Sequence, residues 1–315
     1  MVEKKGVCML LSILPKKIKE VFETKLSLDS VNEIRLRVDK PIAVNVKGKL
    51  YYLSEYGITS KVSDAIILSD EDIKNIIYIL AEASVYSVND QLREGFITVK
   101  GGYRVGIVGE VAYDEVLEKV TTIRNISSLN IRVPHFVKDC SKRVFPYLLD
   151  STFLNTLIIS PPGVGKTTFL RDLIYQIYDN NYALNCLVLD ERYEIAGMTE
   201  CKCQFDIGNF VDVMSGVKKK YGFEVGIRSM NPNVIFTDEL ATDMDISSVE
   251  YAIACGVGVV ATVHSENITS LKKKPNFEKV IKEKMFDRYV VLSNRNGLGT
   301  VEGVYDANFN LIFRE

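Results

Sequence analysis

Residues Ser160–Thr168 read S-P-P-G-V-G-K-T-T, directly after the apolar run Leu157-Ile158-Ile159 and directly before a helical pattern over Phe169–Tyr178. A strand, a tight glycine-bearing loop closing on Lys-Thr and then a helix is the context in which a chain cradles phosphate, the P-loop. Amides in such a loop and in the first helical turn have no partner within the helix, so they face an anion. Pro162, Gly163, Val164, Gly165 and Thr168 are therefore expected to line the phosphates. Lys166 is expected to reach the β- and γ-phosphates and Thr167 to place its hydroxyl on Mg²⁺, which makes ATP with Mg²⁺ the expected ligand. The usual pattern opens with Gly, where this chain has Ser160. Gly163 and Gly165 shape the nest, so the reading stands. A plain Gly/Pro turn before a helix is the alternative, and the flanking strand and helix argue against it.

Further strands end in acids. Val234-Ile235-Phe236-Thr237 reads as a buried strand closing on Asp238-Glu239. At this distance after a P-loop, Asp238 is expected in the Mg²⁺ shell and Glu239 beside the attacking water. Leu187–Leu189 runs into Asp190-Glu191-Arg192, and Val257–Val263 runs into His264. In a doubly wound sheet the strand carboxyl ends gather in one crevice, so Asp190, Glu191 and His264 are expected near the phosphates. The alternatives are that Asp190 caps the next element, that Arg192 pairs with Glu194, and that His264 is structural.

From Thr156 onward strands and helices alternate, which predicts an α/β fold with a mostly parallel sheet. Tyr289–Leu292, Thr300–Tyr305 and Asn308–Phe313 are expected to close it as hairpins. The first half reads as a mixed α+β module: a helix broken at Pro15, short strands at Val31–Val38, Ile42–Val46 and Leu50–Leu53, and a helix over Ile73–Ala81 capped by Asp70. Phe96–Val99, a turn at Gly101-Gly102 and Tyr103–Val111 form a hairpin signal, and Ser128–Val133 ends at Pro134. Val144–Leu149 reads as a short helix. The expected domains are residues 1–140 and 141–315.

The chain has 315 residues, 47% of them hydrophobic, and a net charge of −2, which is ordinary globular composition with no global attraction to nucleic acid. Lys218–Lys220 and Lys272–Lys274 are short basic clusters, read as solvated faces. The six cysteines are scattered, and Cys201-x-Cys203 lacks a second pair to complete a zinc site, so reduced thiols are expected. No stretch approaches the ~20 apolar residues of a membrane span. Val7–Leu14 behind Lys4-Lys5 lacks a small-residue cleavage site, so a cytoplasmic protein is expected.

Several separated segments resemble one family. S-P-P-G-V-G-K-T-T-F-L-R-D, L-V-L-D-E-R-Y-E-I-A-G, G-I-R-S-M-N-P-N-V-I-F-T-D-E-L and G-V-G-V-V-A-T-V-H are similar, in order, to motifs of the stage III sporulation AA family. That family lies in the secretion-ATPase branch of P-loop ATPases, with the type II and type IV secretion and pilus motors. E-I-R-L-R, R-E-G-F-I-T-V-K-G-G-Y-R-V-G-I-V-G and S-S-L-N-I-R-V carry the resemblance through the first half. It implies a RecA-like ATPase domain, with Lys166 and Thr167 as Walker A, and Asp238 and Glu239 as Walker B. Asp190, Glu191 and Arg192 match the acidic box and His264 the histidine box, while Arg228 falls where related motors keep an arginine near the nucleotide. It also implies a homo-oligomer, a hexameric ring in which an N-terminal domain lends arginines to a neighbour's site. Arg104 and Arg132 are the candidates, with salt-bridged strand residues as the alternative. The implied setting is the mother-cell side of the forespore membranes, docked on membrane proteins of the sporulation channel. V-K-K-K-Y-G at Val217–Gly222 departs from the expected pattern.

Two rival functions remain on the sequence: a nucleic-acid motor of the same fold, against which the charge and the lack of a basic-aromatic stripe speak, and a nucleotide-gated scaffold that barely hydrolyses.

Overall fold

The computed structural model describes residues 10–83, 92, 95–99, 103–115, 119–150, 152–198, 202–297 and 299–314. By internal contacts the chain divides into two compact units, Met1–His135 with Gly197–Gln204, and Phe136–Ala196 with Phe205–Glu315.

In the first unit, residues 10–13 are helical and Pro15 begins a new helix, α1 (Lys16–Thr24), that buries Ile18, Val21 and Phe22. Strands β1 (Val31–Arg37), β2 (Ala43–Val46), β3 (Lys49–Ser54) and β4 (Gly57–Thr59) precede helix α2 (Asp70–Ala83). Strands β5 (Phe96–Val99), β6 (Tyr103–Asp114) and β7 (Lys119–Arg132) complete a sheet of order β4-β3-β2-β1-β7-β6-β5. Every pairing in it is antiparallel. One face is apolar because the register aligns it: Ile34 lies opposite Ile131, which lies opposite Val105. Ile73, Ile76 and Leu80 of α2 share that core, as the i, i+3, i+7 spacing requires.

Two details differ from the sequence expectation. Ser69, not Asp70, caps α2: its Oγ accepts from the Asp72 amide at 3.1 Å, and the Asp72 carboxylate accepts from the Ser69 amide at 3.0 Å. This reciprocal box satisfies two orphan donors, and it leaves Asp70 in the first turn, paired with Lys74 at 2.6 Å. Strand β7 starts at Lys119 rather than Ser128, because its pairing with β6 continues past two register shifts. The Gly101-Gly102 turn lies outside the described residues.

The second unit runs β8 (Thr156–Ser160), α3 (Lys166–Asp179), β9 (Cys186–Asp190), β10 (Val211–Ser215), α4 (Lys219–Met230), β11 (Val234–Glu239), α5 (Asp243–Ala254), β12 (Gly258–His264), β13 (Arg288–Ser293), β14 (Thr300–Asp306) and β15 (Leu311–Phe313). Its sheet has the order β10-β9-β11-β12-β8-β13-β14-β15. Strands β10 through β13 pair in parallel, and β14 and β15 add antiparallel at one edge. Strands β8 and β9 are buried at every position, which is why they read as unbroken apolar runs. Leu157, Leu187, Ile235 and Ala261 share a core with Phe223 of α4 and Val249 of α5. The short helix expected at Val144–Leu149 is a 3₁₀ segment, Phe145–Leu148.

Strand β10 and helix α4 are unforeseen. The strand V-D-V-M-S is a half-exposed edge without an apolar run. The helix opens K-K-Y-G, a start that hides its buried Phe223 and Gly226. Among the described residues Cys140, Cys186, Cys203 and Cys255 form no disulfide, and no helix is long and apolar enough to cross a membrane.

Candidate active site

Strand β8 ends at the glycine-bearing loop Ser160–Gly165. Gly163 and Gly165 adopt φ of 74° and 107°, the left-handed region that glycine enters without penalty. Gly165 is the N-cap of the 14-residue α3 and offers no side-chain cap, so amides at this helix start are left for an anion. Ser160, by contrast, is the last residue of β8, fully buried and outside the left-handed region. An extended position needs no glycine, and that is why serine is tolerated there. Pro162 is exposed, Val164 buried, and Thr167 and Thr168 half-buried in the first turn of α3.

The parallel register brings the other strand ends to this loop. His264 lies opposite Ser160 across the β12–β8 pair, and Lys166 Nζ is 2.7 Å from His264 Nδ1. His264 Nε2 in turn lies 3.4 Å from Glu239 Oε2, and Arg192 Nη1 lies 3.3 Å from the same oxygen. The arrangement fits a neutral imidazole protonated on Nε2, accepting from the Lys166 ammonium. Burial lowers the His264 pKa, the Lys166 charge lowers it further, and Glu239 opposes both. Burial brings Lys166 down to about 8, against the pull of Glu239 and Glu194.

Next to Glu239 the structure holds a group with no sequence signal for it. Lys219, the first residue of α4, is 6% exposed. Its Nζ donates to Glu191 Oε2 at 2.7 Å and stands 2.8 Å from Asp238 Oδ1. The second contact is an ion pair without hydrogen-bond alignment, so Asp238 Oδ1 remains a buried oxygen with no directed donor. Burial raises the Asp238 pKa to about 6 even though Lys219 pulls it down. The sequence reading of Lys218–Lys220 as a solvated face is therefore wrong for Lys219. A run of lysines carries no periodicity to show which one points inward. A Cβ on Gly226 would run into Leu187 of β9, so the missing side chain lets α4 lie against the strand.

Asp190 is placed at the end of β9 as expected, but it does different work. Its Oδ1 accepts from the amides of Glu194 and Ile195 at 2.7 and 3.0 Å, and its Oδ2 from Ala196 at 2.9 Å. Buried Arg171 of α3 donates to the carbonyls of Ile195 and Glu194 at 2.8 and 2.7 Å. Together they clamp the loop that follows the acidic strand end. Both Asp190 carboxylate oxygens are thus engaged by backbone amides, and Arg192 forms an ion pair with Glu239.

Arg228 is not brought to this cluster. It lies nine residues beyond Lys219, about 13 Å along α4, exposed in the last turn and interacting electrostatically with Tyr251. Arg104 and Arg132 belong to the first unit, directly opposite one another on β6 and β7. The Arg104 guanidinium lies 3.7 Å over the Phe96 ring. Glu33, opposite Arg132 on β1, hydrogen-bonds to Arg35 and Asn130.

A magnesium ion fits these donors. Asp238 Oδ1 is a buried, undirected carboxylate oxygen at a strand end, and Thr167 supplies a hydroxyl in the first turn of α3. Hard oxygen ligands, few in number, suit Mg²⁺ that completes its shell with phosphate and water.

Comparisons with known proteins agree with this architecture. Residues 3–312 match the family described as Sporulation stage III, protein AA. The chain is 34% identical over 287 residues to stage III sporulation protein AA of Bacillus subtilis (strain 168), covering 90% of this chain and 89% of that one. Among solved structures, the ATPase DotB of Legionella pneumophila aligns with a TM-score of 0.56 at 17% identity, over 88% of this chain and 76% of its own. The pilus retraction motor PilT, solved with bound ADP, aligns at 0.55 and 15%, over 86% and 76%. The fold is thus that of the secretion and pilus-motor ATPases, a RecA-like P-loop domain preceded by a mixed α+β domain. With a family match over nearly its whole length, this chain belongs to the sporulation stage III protein AA family.

Proposed function

We propose that the chain is a Mg²⁺-dependent ATPase, hydrolysing ATP to ADP and phosphate. Its setting in this proposal is a homo-oligomeric, hexameric ring on the mother-cell side of the forespore membrane, where it energises or assembles the channel formed by membrane proteins of the same sporulation stage. The observation that carries the reading is the continuous line of contacts Lys166–His264–Glu239–Arg192, with Asp238 and Glu191 alongside on Lys219, at the strand ends beside a left-handed glycine loop.

Each role follows from chemistry. The loop amides and Lys166 bind the phosphates, and the charge on Lys166 is stabilised once an anionic phosphate faces it. Asp238 and Thr167 are the residues that would hold Mg²⁺, which when bound neutralises charge developing on the phosphates. Glu239 orients the attacking water, and its carboxylate is held in place from two sides by Arg192 and His264. His264 is thereby a positioning residue that senses whether Lys166 points at it or at phosphate. No partner in this scheme is a nucleic acid.

The direct test is steady-state ATP hydrolysis by the intact chain beside Glu239→Gln. Turnover in the variant is expected to fall by about 10²-fold or more, with nucleotide binding retained. Undiminished turnover would remove Glu239 from the chemistry.

A further inference from the structure

Among the described residues, Lys219 is a buried cation at the site that the scheme above leaves without a task. Its ammonium is fixed by two acids from two different strand ends, Asp238 after β11 and Glu191 after β9. The side chains of Lys219 and Asp238 are 6% and 8% exposed, whereas that of Glu191 is 31% exposed. The pair is therefore asymmetric, with a buried end at Asp238 and an end open toward solvent at Glu191. The ammonium donates to Glu191 Oε2 at 2.7 Å and lies 2.8 Å from Asp238 Oδ1.

Asp238 is also the carboxylate that would hold the metal. A magnesium ion held by Asp238 Oδ1 would share that oxygen with an ammonium 2.8 Å from it. Two cations that close repel strongly wherever water is excluded. One carboxylate oxygen does not neutralise both.

Resting on the ATPase reading of the site, we infer that Lys219 is an internal counter-ion that the metal–nucleotide must displace from Asp238. Lysine suits this task. It is a point charge on a four-carbon stem with rotatable bonds, so its ammonium can swing without moving the helix that carries it. It keeps Glu191 as a partner when it yields Asp238, so the exchange strands no charge. The lysine balances Asp238 when no metal is bound, and its departure toward Glu191 registers loading at the start of α4. The same competition sets a threshold: a cation that binds Asp238 weakly does not evict the lysine.

The test is Mn²⁺ binding, read by the electron paramagnetic resonance of free Mn²⁺ during titration in the presence of ADP, without any turnover. Wild type, Lys219→Met, Lys219→Arg and Asp238→Asn are compared. With the competitor removed, Lys219→Met is expected to bind Mn²⁺ about tenfold more tightly than wild type. Lys219→Arg, which keeps the charge, is expected to stay within about threefold of wild type. Asp238→Asn is expected to bind more weakly. If circular dichroism shows Lys219→Met unfolded, Lys219→Gln carries the same expectation. Mn²⁺ affinity in the neutral variants equal to or below that of wild type, with Asp238→Asn still weakened, would overturn the displacement and leave the site reading intact. Mn²⁺ binding untouched by Asp238→Asn would overturn both.

Discussion

Lys166 shows how a residue built for a ligand costs its own fold. Its ammonium is buried and meets the neutral imidazole of His264, and burial holds its pKa near 8. A base whose pKa is depressed by folding is a penalty wherever the unfolded chain carries the charge. Here the penalty is full below about pH 8 and fades as pH rises toward the ordinary lysine value of about 10.4. A depression of this size corresponds to roughly 3 kcal/mol. Lys166→Met is accordingly expected to make the ligand-free protein more stable at pH 7, by about 1–3 kcal/mol, with the gap closing by about pH 10. Urea unfolding of both chains at several pH values checks this, and a gap that widens with pH would contradict it. The same substitution is expected to lower ATP turnover by about 10²-fold or more, the trade between stability and function common to strained sites.

At the scale of single elements, the loop after β9 depends on two buried charges from different elements. Asp190 takes three amides and Arg171 gives to two carbonyls of residues 194–196. Asp190→Ala would leave those amides without their acceptor beside a buried guanidinium, an expected loss of about 3 kcal/mol in chemical unfolding. The loop also carries Arg192 to Glu239. Lower turnover at unchanged ADP affinity is therefore expected under conditions where the variant remains folded. A variant as stable as wild type would show that the clamp is ornamental. Helix α4 illustrates the opposite case, an element invisible in sequence yet central to the site. Its first turn is basic, its apolar positions are few, and a left-handed Asn231 ends it. Only packing on Leu187 and Leu189 of β9 turns it so that Lys219 points inward.

At the scale of the whole molecule, the proposed ring would have copies of the chain share one site. Arg104 and Arg132 lie opposite one another across β6 and β7. In the ring reading they act on the nucleotide of a neighbouring copy. Hydrolysis per chain is then expected to rise with protein concentration. Mixing inactive Arg132→Ala chains with inactive Glu239→Gln chains is expected to restore activity, in about a quarter of random pairings. A mixture no more active than the sum of its parts would place the arginines outside the chemistry. Both units were legible in outline: the short strands from Val31 to Ser54, the helix Asp70–Ala83, the β5–β6 hairpin and the alternation after Thr156 correspond to elements of the structure. The cap at Ser69, the early start of β7 and the pair β10–α4 were not, because each depends on pairing or packing that local composition does not encode.

The glycine loop and the strand ends around it are written in local composition. Glycines at 163 and 165 are needed for left-handed backbone, and apolar runs buried on both faces announce parallel strands whose carboxyl ends must converge. The use of each charge, by contrast, follows from packing. Asp190 was committed to backbone amides, Arg228 was carried about 13 Å along α4 from Lys219, and Lys219 was drawn out of a basic run to face Asp238 and Glu191. A charge's partner is set by which elements pack together across the sheet, and that information lies in residues far apart along the chain.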